Sequence, residues 1–424
     1  MFGQGRVGRF LHFGWRGFLF ILVLLLLAGS TLQSTDAIDH IQRFTRAHEF
    51  NFLSWTLDAF AVKVGQWGLG VSSYLDDEDQ EVIVLDYIQL VDDVRREERY
   101  LEDILGDPTI DDVSPLIDEQ IDVLTTLRNQ EGNLQPLAES ILQEQIAFMV
   151  SAMGIELAGV PVPPVTFQFS PLPHALIVSP REVIRQDANI SLDTEMSLRE
   201  RVKLEAQVES SLDVSTLVVP VGGLGTYPTM VQESSSLNWV VEVVAHEWIH
   251  NHLSFRPLGL RYSESSELRT MNETTANLMG KEIGRQVLEQ HYAFLVPEES
   301  PAQPNEPDDP HEFDFRAEMR ETRVAVDGLL DQGFIDEAEA YMEERRQVFW
   351  EHGYRIRRLN QAYFAFHGAY ADVPGGAAGD DPVGEAVRQL WDAIDDPQEF
   401  LRRMGAMTNF KDLQAELKTY STNL

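Results

Sequence analysis

The segment from residue 240 to 253 reads VVEVVAHEWIHNHL and constrains the fold more than any other part of the chain. Apolar residues surround the polar side chains of His246, Glu247 and His250, so the sequence predicts a buried helix. With 3.6 residues per turn, such a helix projects both imidazoles from one face, about 40° apart. Burying two imidazoles and a carboxylate is costly unless these groups share a partner. The fold must therefore bring a partner to this face.

A divalent cation is the partner that this spacing favours. Two histidines four positions apart on a helix are typical of zinc sites, and Glu247 can hold a water molecule at the cation and remove its proton. The chain contains no cysteine, which excludes thiolate ligands, disulfides and cysteine nucleophiles. His252 lies two positions after His250 and is predicted to point to the other side of the helix. The sequence thus predicts one bound Zn²⁺ ion, with His246 and His250 as ligands.

A third ligand must come from elsewhere, because catalytic zinc sites use three protein ligands and keep one position open. A metzincin site would need glycine and histidine where this chain has Leu253 and Arg256. Two of the downstream acids, Glu264 and Glu267, lie in a serine-rich stretch that is typical of a loop or a helix start.

Glu273 is the acid best placed to be that ligand. It lies in MNETTANLMGKEIG, a helical segment in which Ala276 and Gly280 would permit close approach to the motif helix. Asn277, one turn after Glu273, is predicted to hydrogen-bond a histidine ring nitrogen and fix its tautomer. The alternative for Glu273 is a carboxylate favoured at a helix start by the dipole.

The combination of HEWIH with a downstream NETTA resembles the gluzincin metallopeptidases. The match falls on His246, Glu247, His250 and Glu273. The later stretches LNQAYFAFHGAYADV and PQEFLRRMG are similar to those of predicted bacterial aminopeptidases. The resemblance covers about a third of the chain.

This resemblance implies further site residues. A tyrosine or histidine beside the zinc would stabilise the oxyanion, and the candidates are Tyr363, His367 and Tyr370 on one predicted helix. An aromatic core stripe is the alternative for these three. Gluzincins also place an edge strand against the substrate backbone, and Gly222 and Gly223 in VGGLGTYPTM are the candidates for it. A plain strand and turn is the alternative there.

The predicted function is that of a zinc-dependent peptidase acting on peptides or proteins through a metal-bound water activated by Glu247. The resemblance favours an aminopeptidase. An endopeptidase of the same fold is one alternative. A binding or scaffold protein that holds zinc without turnover is another, although it would have no use for a base at Glu247.

The net charge and the N-terminal segment predict the partners and the cellular location of the protein. With 33 Lys and Arg against 69 Asp and Glu, the chain has a formal charge of −36, which would repel phosphate backbones and predicts no nucleic-acid partner. Arg6, Arg9 and Arg16 precede the apolar run from Gly17 to Leu27, and acidic Asp36 follows. This pattern predicts a membrane anchor with an extracytoplasmic catalytic domain. A cleaved signal and a secreted protein are the alternative.

The predicted fold class is α+β and predominantly helical, with a small sheet packed on the active-site helix and flanking helical regions. The sequence separates into an anchor or signal segment (1–36), a helical region (37–150), a zinc-peptidase core (151–297), an acidic Pro-rich linker (298–314) and a C-terminal helical region (315–424).

Periodicity within these regions predicts particular elements. Leu53, Leu57, Phe60 and Val64 recur on one helical stripe that is predicted to face the core. A later helix is predicted to break near Gly132. Short strands are predicted around Phe167, at Ala175 to Val178, around Ile190 and at Leu217 to Val221.

Overall fold

The chain divides into two compact units, Met1–Ala47 and His48–Leu424. The structure is a computed structural model, and it describes residues 36–69, 74–106, 114–295, 313–371, 373 and 375–422. The predicted anchor or signal segment lies outside these residues except for Asp36, and most of the predicted linker 298–314 lies outside them too. In the first unit, helix α1 spans Asp36–Thr45. No helix in the described part of the chain combines the length and the apolar character needed to cross a bilayer.

Long helices open the second unit. Helix α2 spans Phe52–Leu69, α3 spans Asp77–Gly106 and α4 spans Ser114–Ala152. Helices α3 and α4 pack against each other, and α4 continues through Gly132 without the predicted break. The glycine lowers helix propensity by only about 1 kcal/mol, which packing against α3 can outweigh.

The predicted orientation of α2 is wrong. Leu53 and Leu57 are 59% and 60% exposed, whereas Ala59 and Lys63 are buried. The side chain of Val64 lies outside the described residues. Lys63 Nζ forms a fully buried ion pair, 2.5 Å from Glu139 Oε2 on α4. A buried charge without its partner is very costly, so this pair fixes the face of α2 that packs inward.

Two three-stranded sheets follow instead of the single small sheet that was predicted. In the first, β2 (His174–Pro180) pairs antiparallel with β3 (Ala188–Leu192) and with β4 (Val214–Pro220). Helix α5 (Leu198–Leu212) connects β3 to β4. The second sheet is assembled from short strands: β1 (Phe167–Phe169), β5 (Gly223–Leu224) and β6 (Thr229–Val231). Its order is β1-β6-β5, which places β5 at an edge.

The centre of the unit is a helix pair. Helix α6 (Leu237–Leu253) carries the HEWIH motif, the short α7 spans Pro257–Leu260, and α8 (Ser266–His291) carries NETTA. A Cβ added at Gly280 of α8 would lie 3.0 Å from the carbonyl oxygen of Glu242 and from His246 Cβ on α6. The predicted close approach of these helices through a small residue is confirmed.

The C-terminal helices pack in three places. Their bounds are α9 (Phe315–Asp331), α10 (Ile335–Glu351), α11 (Gln361–His367), α12 (Pro382–Ala393), α13 (Pro397–Ala406) and α14 (Phe410–Thr422). Helices α9 and α10 form a separate small core, and α11 packs on the first sheet. Helices α12, α13 and α14 pack against α8. Across the described residues the α+β, predominantly helical fold class is confirmed, with fourteen α-helices and six short strands.

A buried carboxyl group on α4 lies close to the segment that leads into α6. Glu131 is only 7% exposed, and Tyr87 donates a hydrogen bond of 3.1 Å to nearby Glu233 Oε1. Burial raises the pKa of Glu131 to about 7; the Glu233 charge adds to this shift and Arg128 opposes it. Folding therefore favours the neutral form of Glu131, and stability is lost as pH rises from about 4.5 to 7.

We expect Glu131→Gln to raise the free energy of unfolding at pH 8 by roughly 1–2 kcal/mol, after a discount for solvent contact. The gain should shrink towards pH 5, where the wild-type carboxyl is mostly neutral. Urea unfolding at the two pH values measures the difference, and Glu119→Gln, on the exposed side of α4, is the matched control. A gain that is independent of pH would contradict the assignment.

Candidate metal centre

Helix α6 presents His246, Glu247 and His250 to one cavity, while the apolar residues next to them pack into the core. Val244, Ala245, Trp248 and Ile249 are all buried. The helix begins after Ser236, whose hydroxyl accepts a hydrogen bond from the backbone of Trp239. The local sequence thus determines both the helix and the polar face that the motif residues share.

His246, His250 and Glu273 converge at one point. The two imidazole Nε2 atoms lie 3.0 Å apart, and Glu273 Oε2 lies 3.6 Å from Nε2 of His246 and 3.4 Å from Nε2 of His250. Ligand atoms roughly 2.0–2.1 Å from a tetrahedral zinc ion would be about 3.3 Å apart. These residues form a possible metal-binding triad, as the sequence predicted.

The surroundings of Glu273 Oε2 support this interpretation. The oxygen is buried and has no hydrogen-bond partner in the described part of the chain. Only 7% of the Glu273 side chain is exposed, against 12% and 19% for His246 and His250. A carboxylate oxygen that is buried beside two imidazoles without a donor is costly, and a cation held by all three residues would remove that cost.

Asn272 fixes one of the rings. Its Oδ1 lies 2.7 Å from Nδ1 of His250, so a proton on Nδ1 leaves the Nε2 lone pair pointing at the triad. Sequence analysis missed Asn272 because adjacent positions on a helix point in different directions. With Glu273 assigned to the metal site, its neighbour was expected to point away from that site. Asn277, predicted for such a contact, lines the cavity, and its role stays a prediction.

Tyr262 is the second residue that sequence analysis missed. Its hydroxyl donates a short hydrogen bond to Glu273 Oε1, and its ring lies edge-on to that of His250 at 6.1 Å. The only signal in the sequence was an aromatic residue in the polar stretch between α7 and α8.

The triad opens into a cavity of about 630 Å³. Strand β5 forms one wall, and Trp239 and Val243 of α6 line the same side. A Cβ added at Gly223 would lie 2.7 Å from Cγ and Oε1 of Glu247, and one at Gly222 would lie 2.9 Å from the Trp239 ring. Both predicted glycines therefore let the edge strand approach α6.

Of the three residues predicted to stabilise an oxyanion, the structure brings one to the cavity. Tyr370 lines it, with its ring 6.4 Å from that of His246. The rings of Tyr363 and His367 contact each other at 4.4 Å, tilted by 46°, and these two residues are not among those that line the cavity. The predicted shared helix is wrong, because α11 ends at His367 and Tyr370 lies beyond the cap at Gly368. Their roles stay predictions.

Family models, curated proteins and solved structures give no match to this chain. The resemblance to gluzincins therefore rests on the motif residues themselves.

The surroundings of the two carboxyl groups, Glu247 and Glu273, shift their pKa values in opposite directions. Burial raises the pKa of Glu247, and the Glu273 charge adds to this while the two histidines oppose it. Burial would also raise the pKa of Glu273, but the two imidazoles outweigh it and hold this pKa well below its usual range. Glu247 is thus poised to take up a proton, and Glu273 stays ionised, as a metal ligand would need to be.

Proposed function

We propose that this chain is a zinc-dependent peptidase of the gluzincin kind. The observation that supports this most is the convergence of two imidazole nitrogens and one carboxylate oxygen next to a fourth group, Glu247, in the same cavity. A site that only held the metal would have no use for Glu247, which is not one of the three predicted ligands. The added carboxyl, with its pKa raised by burial, favours a hydrolase over a scaffold that only holds zinc.

The donor set suits zinc. His246 and His250 supply nitrogen, Glu273 supplies oxygen, and these three ligands leave a fourth position open. A Zn²⁺ ion bound there would polarise a peptide carbonyl and lower the pKa of water to about 7.

The residues of the chain would perform the remaining steps. Glu247 accepts the proton of the attacking water and returns it to the nitrogen of the leaving amine. Tyr370 lines the same cavity, with its ring 6.4 Å from that of His246, and is our candidate donor to the oxyanion. Tyr363 and His367 are the further predicted candidates. Strand β5 lies at the edge of its sheet, where the backbone of Gly223 can pair with an extended peptide. Gly222 directly precedes the strand, and its carbonyl oxygen accepts a hydrogen bond from the backbone of Gln232.

An aminopeptidase is the class that we favour, with an endopeptidase of the same fold as the alternative. An aminopeptidase needs a carboxylate to bind the free amine of its substrate. Glu242 is suited to this, since it lines the cavity one helical turn before His246. We further propose that segment 1–36 anchors the protein in a membrane with the catalytic unit on the outer side, or is cleaved from a secreted form.

Metal analysis tests this proposal directly. We expect purified wild-type protein to contain about one zinc ion per chain and His250→Ala to contain almost none, because two ligands hold zinc far less tightly than three. His252→Ala is the matched control, since the Nδ1 of His252 lies 2.8 Å from the carbonyl oxygen of Val162, on the other side of α6. Digestion of a peptide library then reports which bond is cut. Equal zinc in all three proteins would remove His250 from the ligand set.

A further inference from the structure

The turn between α7 and α8 places Tyr262 in the lining of the cavity, with its hydroxyl on Glu273 Oε1. Backbone hydrogen bonds from Arg261 to Pro257 and from Tyr262 to Gly259, each 3.2 Å long, hold this turn. A Cβ added at Gly259 would overlap the carbonyl of Leu253, the last residue of α6. The turn is therefore packed directly on the C-terminal end of the helix that carries both histidines.

This position gives the two oxygens of Glu273 different surroundings. Oε1 accepts the hydrogen bond from the Tyr262 hydroxyl. Oε2 has no hydrogen-bond partner among the described residues and faces both imidazoles. A hydrogen bond to a carboxylate is stronger than one between neutral groups. The bond from Tyr262 therefore fixes the orientation of the Glu273 carboxylate, with Oε1 on the phenol and Oε2 towards the imidazoles.

We propose that Tyr262 is a positioning residue that makes Glu273 bind a divalent metal ion through Oε2 alone. This inference rests on the proposed function, because it assumes that the triad holds a metal. A carboxylate can bind a cation through one oxygen or through both. The hydrogen bond from Tyr262 to Oε1 holds the carboxylate with Oε2 directed at both imidazoles, and this favours binding through Oε2 alone. The position that a second oxygen would occupy then stays open for water and substrate.

The proton count of the phenol separates this role from oxyanion stabilisation. Tyr262 has a single hydroxyl proton, and Glu273 receives it. The same proton cannot also be donated to a substrate oxygen. Tyr262 therefore acts through Glu273, which leaves Tyr370 as the tyrosine of the cavity that can donate to substrate.

The test uses the full chain and Tyr262→Phe, which removes the hydroxyl and keeps the ring. Zinc affinity is measured by competition with a chelator, and the Co²⁺-loaded protein is examined by visible absorption. We expect about 10- to 100-fold weaker zinc binding in the variant, as for other partners of metal ligands. We also expect weaker Co²⁺ bands, because a second Glu273 oxygen would raise the coordination number.

Tyr292→Phe is the matched control. Tyr292 is fully buried just after α8, and its hydroxyl donates a hydrogen bond of 3.0 Å to Gln145 Oε1. The control loses a comparable buried hydrogen bond but should retain wild-type zinc affinity and Co²⁺ absorption. Wild-type affinity and absorption in Tyr262→Phe would overturn the inference and leave the proposed function intact, whereas wild-type protein that binds no metal would overturn both.

X-ray absorption of the zinc-loaded wild-type protein tests the same point without any substitution. Nitrogen and oxygen ligands at roughly 2.0–2.2 Å, with no longer oxygen contact, are expected for a single Glu273 oxygen. A second Glu273 oxygen at longer distance would contradict the proposal even if Tyr262→Phe failed to fold.

Discussion

Glu247→Gln is expected to slow peptide hydrolysis by orders of magnitude and to leave the metal in place. Glutamine has nearly the same size as glutamate, so it fits a position where the wild-type side chain is only 8% exposed. It cannot accept a proton from water, however, and general-base catalysis contributes about 10²- to 10⁴-fold to the rate. We therefore expect kcat to fall by about that factor, with little change in zinc content.

Kinetics on a cleaved library peptide, with metal analysis of the same samples, check this prediction. Glu264→Gln is the control, because Glu264 is an exposed glutamate from the same part of the chain that pairs with Arg261 at 3.5 Å. It should behave as wild type. Full activity in Glu247→Gln would remove the proposed base, and loss of zinc from it would show that Glu247 helps to hold the metal.

Gly223→Ala should cause the second large effect. The added methyl would lie 2.7 Å from Cγ and Oε1 of Glu247 and 2.9 Å from Cγ1 of Val243. Gly223 is paired with Val231 of β6, which limits how far the strand can retreat. Glu247 must then move, and a displacement of about 1 Å in a catalytic group can cost roughly 10²-fold in rate. We expect a loss of that order in kcat, with zinc retained.

A neighbouring glycine provides the control for this steric argument. A Cβ added at Gly225 would lie 3.4 Å from His250 Cβ and 3.5 Å from Glu247 Oε2, which is ordinary van der Waals contact. Gly225→Ala should therefore keep most of the activity. Thermal unfolding of both variants separates a local displacement from general damage to the fold. Equal activities in the two variants would show that β5 does not confine Glu247.

The sequence could predict those parts of the site that are set by local geometry. His246 and His250 lie on one face because a helix dictates their spacing, and apolar neighbours dictated that the helix is buried. Predicting Glu273 as a ligand also required that a second helix pack against the motif helix, which is a tertiary contact. Gly280 supplied the signal for that packing, and the structure confirms the contact between α8 and α6. The predominantly helical α+β class also followed from periodicity.

Other contacts depend on tertiary packing that no local pattern encodes. Periodicity found the apolar stripe of α2 at Leu53 and Leu57 but could not determine which face packs inward, and the buried pair of Lys63 and Glu139 decided it. Tyr262 reaches Glu273 only because the turn after α7 folds back onto α6. Two sheets formed in place of one because β6 pairs with β1, a strand far from it in sequence.

The placement of the three candidate ligands on two helices has a consequence for the folded state itself. His246 and His250 belong to α6 and Glu273 to α8, so an ion held by all three would be a removable cross-link through the core. Its binding free energy would add to the free energy of unfolding, because the unfolded chain does not hold these residues together. Metal supply would then govern how much folded protein persists, as well as how fast each molecule turns over.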